Sequence, residues 1–517
     1  MKFNKGQILK NVGSSWFALG VNVMVGIFLS PYILHRLGDE AFGLWILIFS
    51  FTGYYGLFDL GIRSSIVRYV AKYSATDERD ELNRLVNTAM FSYAGIGLVA
   101  MVLTIAATYY LNSIFRIPAE FLGTARWLLF MVGTSVSLAF PLGVFSGILE
   151  GLQRFYLLNT TSVSSTLLRA LFIVLALQRG RGLLTVAFIT VSLPLLGSLV
   201  NAAAVLRHLR LAFGVQYVSR SSLRSIASYS GTTFLIIVAG RLRFKTDAVV
   251  IGSFVSAAAI TYFTIGSRLV DYASEVVSSL AQIFVPMSSQ SHAKGDLDGL
   301  RRILIVGNRA CAFIIFPITV VYTILGKSLI EAWVGPKYIA TSYPVLLVLL
   351  YPTTLMLAQS ASGRILYGMA KHRTWAMVVL AEGAANLILS ILLVRPYGIM
   401  GDAVGTAIPL TCSMIFFLPP HLCRLLGLNL WTYLYRTFIF PLALCLPLAA
   451  VLLLMQRWFV PHHLSELAVQ LAIAGLVYGI SMAWAFWTKR AWDTGQVGTV
   501  REDGVTLAVV EAYEKEA

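Results

Sequence analysis

Apolar runs of about 20 residues recur from one end of this 517-residue chain to the other. Each is long enough to cross the hydrocarbon core of a bilayer as a helix, whereas a barrel strand would need only about 9–11 residues of alternating polarity. Hydrocarbon offers no hydrogen bonds to a backbone, so runs of this length must satisfy their own as helices. The runs place spans at 12–34, 41–62, 86–111, 123–150, 157–177, 183–206, 226–252, 258–285, 303–326, 343–363, 374–394, 399–423, 435–456 and 465–487. The expected fold class is all-α, a polytopic membrane protein with about fourteen helices. Composition agrees: 12% of residues are charged, about half the usual share in a soluble domain.

Forty Lys and Arg face twenty-four Asp and Glu. No basic soluble segment is present to use that surplus on nucleic acid. With a cytoplasmic N-terminus, the loops divide roughly 23 Lys/Arg to 9 in favour of the cytoplasmic side, which puts both termini in the cytoplasm. The stretch LFDLGIRSSIVRYVAKY (57–73) then marks where the second helix emerges, and Asp59 and Arg63 are spaced to pair at i,i+4. The basic N-terminus precedes a run without a small-residue cleavage site, read as the first membrane helix. Cys311, Cys412, Cys423 and Cys445 show no metal or disulfide spacing and read as small core residues. No P-loop, HExxH or GxSxG pattern occurs, and no cofactor or metal is expected.

Related signals recur about 217 residues apart. DELNRLV (80–86) returns as DGLRRIL (298–304), Gly151 and Arg154 as Gly368 and Lys371, Gly182 and Pro194 as Gly398 and Pro409, and Gly13 as Gly231. The chain therefore reads as a duplication: an N-lobe (1–215, helices 1–6), a C-lobe (216–425, helices 7–12), two further helices (426–490) and a polar cytoplasmic tail (491–517). An even number of helices per copy gives a parallel repeat, an arrangement transporters use for alternating access.

Nine ionisable residues lie well inside spans: Arg169, Arg241, Arg243, Lys245, Asp247, Arg268, Asp271, Glu275 and Glu382. Facing lipid, nine would cost on the order of 27 kcal/mol, above a typical net stability of about 5–15 kcal/mol. They must face one another or a hydrated cavity. Arg268, Asp271 and Glu275 fall within about 60° of one helical face, and Arg243 can pair with Asp247. Arg169, Arg241 and Lys245 have no close sequence partner. Surplus cations in a membrane cavity point to an anionic substrate, and guanidinium suits phosphate. Arg169, Arg241, Lys245, Arg243 and Arg268 are the candidate substrate-binding residues; Asp247, Asp271, Glu275 and Glu382 are candidates for ion coupling or charge balance. Asn22 and Gln359, mid-span, read first as helix–helix glue.

Three segments carry a family resemblance: LGDEAFGLWILIFSFTGYYGLFDLGIRSSIVRYVA (37–71), KTDAVVIGSFVSAAAITYFTIGSRLVDY (245–272) and FVPMSSQSHAKGDLDGLRRIL (284–304). Over residues 8–425 the chain resembles the bacterial polysaccharide flippases, the O-antigen and exopolysaccharide transporters of the multidrug/oligosaccharidyl-lipid/polysaccharide exporter superfamily. That resemblance implies a V-shaped pair of six-helix lobes around an alternately opening cavity. It also implies a non-enzymatic role in the bacterial inner membrane: moving polyprenyl-pyrophosphate-linked oligosaccharides to the outer leaflet, with membrane lipids and polysaccharide polymerase or export machinery as partners. A peptidoglycan-precursor flippase and a multidrug exporter share the fold and stay open as alternatives. So does an enzyme of polysaccharide assembly, although no large catalytic loop is present.

Overall fold

The computed structural model describes residues 5–209, 211–226, 238, 240, 241, 243, 246–461 and 464–488. Among these residues every regular element is a helix, and eleven segments are long and apolar enough to cross a membrane. One of them, 373–425, contains two spans, because helix Arg373–Cys412 breaks at Gly398 (φ 57, ψ −140). That break separates the expected spans 374–394 and 399–423. The expected eighth span is helix Ala257–Ala281, which carries Arg268, Asp271 and Glu275. Of the seventh, helix Asp247–Phe254 is the continuous part; most of 226–246, Lys245 included, and the tail 491–517 lie outside the described residues.

Turns are placed by residues that tolerate them. Gly38 (φ 83) alone separates helix Lys5–Leu37 from helix Asp39–Gly53, a left-handed conformation that favours glycine. Asp296 caps helix Leu297–Val334, its carboxylate accepting from the Gly299 N–H at 2.7 Å. Within spans, Thr52, Thr104, Thr190 and Thr319 return their hydroxyl hydrogens to carbonyls four residues back, which removes an unpaired donor from hydrocarbon.

Packing divides the chain into two compact units, 1–264 with 383–405 and 265–382 with 406–517. The repeat places its boundary at 215/216; compactness places it at 264/265 and adds 383–405 to the first unit. The first unit's core holds Ile66, Val70, Val86, Val144, Ile148 and Val205. That of the second holds Val277, Leu304, Cys311, Ile365, Leu366 and Leu422. Large apolar side chains such as Phe17, Leu98, Val102 and Leu476 are exposed, as a lipid-facing surface requires. Cys311, Cys423 and Cys445 are buried; Cys412 differs from the expected core placement and is exposed.

The duplication is visible in local geometry. A Cβ at Gly151 would lie 2.8 Å from Val70 Cβ and 2.9 Å from the Val67 carbonyl oxygen. A Cβ at Gly368 would lie 2.7 Å from Ser288 Cβ and 2.8 Å from the Val285 carbonyl oxygen. In each unit, then, a glycine at a helix end admits a short helix, Ile62–Thr76 or Phe284–Ala293. Left-handed residues recur in matching places: Asp77 and Gly295, Gln153 and Ala370, Gly180 and Gly398. So do the ion pairs Arg84–Glu81 (3.0 Å) and Arg301–Asp298 (2.9 Å).

Candidate functional site

Helix Lys5–Leu37 and helix Leu183–His208 both pack against helix Phe155–Gln178. A cavity of about 350 Å³ lies among the three, all within the first unit. Its lining is hydroxyl- and amide-rich, including Asn22, Ser162, Ser165, Thr166, Ser198 and Asn201, with Arg169 as the cation. Among the described residues Arg169 makes no hydrogen bond or ion pair. Thr166 donates to Asn22 Oδ1 (2.8 Å) and Thr161 to Asn201 Oδ1 (3.0 Å). Asn22 is therefore both the expected interhelical bond and part of this cavity. Gln359 serves as glue, donating to the Met414 carbonyl at 3.1 Å.

Arg241 lies elsewhere in the same unit, against the break at the end of the second span. Residues Tyr54–Asp59 form a 3₁₀ turn, followed by Leu60 (φ 50) and Gly61 (φ 78) in the left-handed region. A Cβ at Gly56 would lie 2.8 Å from Arg241 Nη2 and 3.5 Å from Cζ, so the missing side chain is what lets the guanidinium approach. Tyr54 is within electrostatic range of both Arg241 and Asp247. Asp247 opens helix Asp247–Phe254, where a negative charge meets the positive end of the helix dipole. Arg243 is buried, and its carbonyl accepts from Asn386 Nδ2 (3.1 Å). Arg169 and Arg241, assigned by the repeat to different lobes, thus fall in one compact unit.

In the second unit Arg268 pairs with Asp271 (3.9 Å), both exposed, and Glu275 is exposed one turn on. Leu269, Val270, Ala273 and Val277 of the same helix are buried, and the three exposed charges share a face as expected. Glu382 is buried and accepts from the Ser413 hydroxyl.

The i,i+4 pairing expected of Asp59 and Arg63 is replaced. The 3₁₀ turn and two left-handed residues interrupt the helix between them, so the two side chains do not share an α-helical face. Arg63 instead pairs with Glu150, and Asp59 accepts from the Tyr93 hydroxyl and the Arg63 backbone N–H (3.3 Å). Burial pulls the Arg63 guanidinium down, and Glu150 more than offsets it, holding the group above its ordinary range. Arg68 and Lys72 lie over the Tyr69 and Tyr73 rings.

Two buried ionisable side chains escaped the sequence reading. Asp402 is fully buried four residues after the Gly398 break, with Asp247 acting on it electrostatically. Ser390 donates to its backbone carbonyl (3.3 Å), while its carboxylate accepts no hydrogen bond among the described residues. Arg309, 3% exposed, donates through Nε to the Arg436 carbonyl (3.1 Å) in a π-helical turn, Tyr435–Ile439. Its place inside a span was a visible signal; Asp402, close to a span end, gave a weaker one.

Eleven long apolar helical segments and a polar cavity among three of them define a multi-pass membrane protein. Over 93% of its length the chain is similar in fold to a solved structure of the lipid II flippase MurJ, with a TM-score of 0.67 at 15% identity and 99% of that chain covered. The chain belongs to the polysaccharide biosynthesis protein family, whose model matches residues 8–292. It is 20% identical over 458 residues to the uncharacterized membrane protein EpsK of Bacillus subtilis, covering 85% of this chain and 86% of that protein. It is also 20% identical over 415 residues to a putative O-antigen transporter of Shigella flexneri, covering 78% and 94%.

Proposed function

We propose that this chain is a flippase that carries polyprenyl-pyrophosphate-linked oligosaccharides from the cytoplasmic to the outer leaflet by alternating access, without covalent chemistry. The observation that carries the reading is Arg169, a cation inside a membrane span, partnerless among the described residues and facing a polar cavity. Such a charge is stable there only in contact with water or with the polar groups of a ligand. Family membership and the named relatives support the substrate class. Arg169, Arg241, Arg243, Lys245 and Arg268 make the substrate path basic, and Arg241 with Lys245, one helical turn apart in sequence, meets the pyrophosphate. Asp247, Asp271, Glu275 and Glu382 balance these charges or bind a coupling ion, and Asp402 joins them. The bacterial inner membrane, cytoplasmic termini and association with polysaccharide polymerase or export machinery complete the reading.

The test is the Arg241→Gln, Lys245→Gln double variant at wild-type protein levels. Its cells should accumulate lipid-linked glycan on the cytoplasmic leaflet; normal surface polysaccharide would overturn the assignment.

A further inference from the structure

We infer that the cavity beside Arg169 is a subsite for a single sugar ring of the substrate, separate from the groups that meet its pyrophosphate. The inference rests on the flippase reading and locates the glycan within it. The lining decides between ligands by its hydrogen-bond balance. The hydroxyl hydrogens of Thr166, Ser165 and Ser198 are already given to Asn22 Oδ1 (2.8 Å), the Leu193 carbonyl (3.4 Å) and the Pro194 carbonyl (3.0 Å). What these three residues still offer is acceptor lone pairs. Asn22 uses Oδ1 as an acceptor from Thr166, and the single Thr161 hydroxyl hydrogen is shared among Asn201 Oδ1 (3.0 Å) and the Leu157 and Leu158 carbonyls (3.1 and 3.0 Å). The amide N–H groups of both asparagines make no hydrogen bond among the described residues and are available as donors. Arg169 adds further donors, and Ser162 makes no hydrogen bond among the described residues.

A phosphate only accepts, so it would satisfy the amides and the guanidinium but would set its oxygens against the lone pairs of three hydroxyls. A polyprenyl chain would leave Arg169, Ser162 and the amide N–H groups of Asn22 and Asn201 unpaired, at a cost of roughly 1–3 kcal/mol for each neutral group in protein mutational data. A sugar ring both donates and accepts around its rim and matches a lining that does the same. The volume, about 350 Å³, lies near the lower end of the roughly 300–1,000 Å³ of small-molecule sites, which suits a ring and not a long lipid tail. Gly197 keeps the space open: a Cβ there would lie 2.8 Å from Ser165 Oγ.

The experiment measures binding of two lipids to the full chain in nanodiscs: undecaprenyl pyrophosphate, and the same lipid carrying one glucose or one galactose. Wild type should bind a glycosylated lipid at least tenfold more tightly. Asn201→Leu removes a donor and Ser162→Phe fills the cavity without cutting a hydrogen bond among the described residues; each should erase that advantage while leaving the sugar-free lipid within twofold. Equal weakening of both lipids would make the cavity a pyrophosphate site and overturn the inference. So would an undiminished advantage in both variants, or no advantage for either hexose in wild type. Failure of folded wild type to bind any of the lipids would instead remove the flippase reading, and this subsite with it.

Discussion

Gly56→Ala tests whether Arg241 works from its place against the second span. The added Cβ would begin 2.8 Å from Nη2, and ordinary contact starts near 3.4 Å, so the guanidinium must retreat by about 0.6 Å. The obstacle is the tip of a flexible side chain and Gly56 has an ordinary backbone conformation, so stability should barely change. Ligand geometry should change, because charge-assisted hydrogen bonds weaken steeply with distance and angle. A charged contact contributes roughly 1.5–3 kcal/mol, so Arg241→Gln should weaken undecaprenyl pyrophosphate binding in nanodiscs about ten- to a hundredfold. A partial displacement should cost roughly three- to tenfold, near 0.7–1.4 kcal/mol. The Gly56→Ala, Arg241→Gln double variant should bind no worse than Arg241→Gln alone, since Gln falls short of the same point and coupled residues are non-additive. Wild-type affinity in Gly56→Ala, or strictly additive losses, would refute the reasoning.

Gly43→Ala should lower the melting temperature of the purified protein, because its Cβ would run into the Ala257 carbonyl oxygen, a backbone atom that cannot yield. Overpacking of this kind costs typically about 1–3 kcal/mol, and an unchanged melting curve would contradict the packing. Asp402→Asn removes a fully buried titratable group and should leave the fold intact while abolishing any response of transport to an imposed Na⁺ or proton gradient. Wild-type transport indifferent to both gradients would assign the buried acids to charge balance alone. Alkaline phosphatase fused after Lys489 should be inactive; high activity would contradict the cytoplasmic C-terminus and the even helix count.

Much of the fold was legible because membrane physics writes it in composition: a 20-residue apolar run has few folded alternatives. The duplication was legible too, since Gly151 and Gly368 each admit a short helix that any side chain would exclude. The Arg268–Asp271 pair needed only helical spacing. What stayed hidden depends on distant backbone. Arg63 finds Glu150, 87 residues away, because the 3₁₀ turn and Gly61 redirect the chain. Arg309 is held by a carbonyl in a π-helical turn, a partner no side-chain pattern announces. Asp402 sat too near a span end to be counted as deep until the Gly398 break placed it in the interior. The cavity at Arg169 required three helices from two stretches of sequence to meet, and only Arg169 and Asn22 of its lining stood out as mid-span polar residues.

The most direct measurement is flipping by the purified protein alone. Proteoliposomes carrying undecaprenyl-pyrophosphate-linked oligosaccharide in both leaflets would be exposed to a membrane-impermeant glycosidase. With the protein present, hydrolysis should proceed beyond the fraction accessible in protein-free vesicles as inner-leaflet lipid reaches the outside. Hydrolysis that stops at the protein-free level, with the protein folded and inserted, would contradict the account.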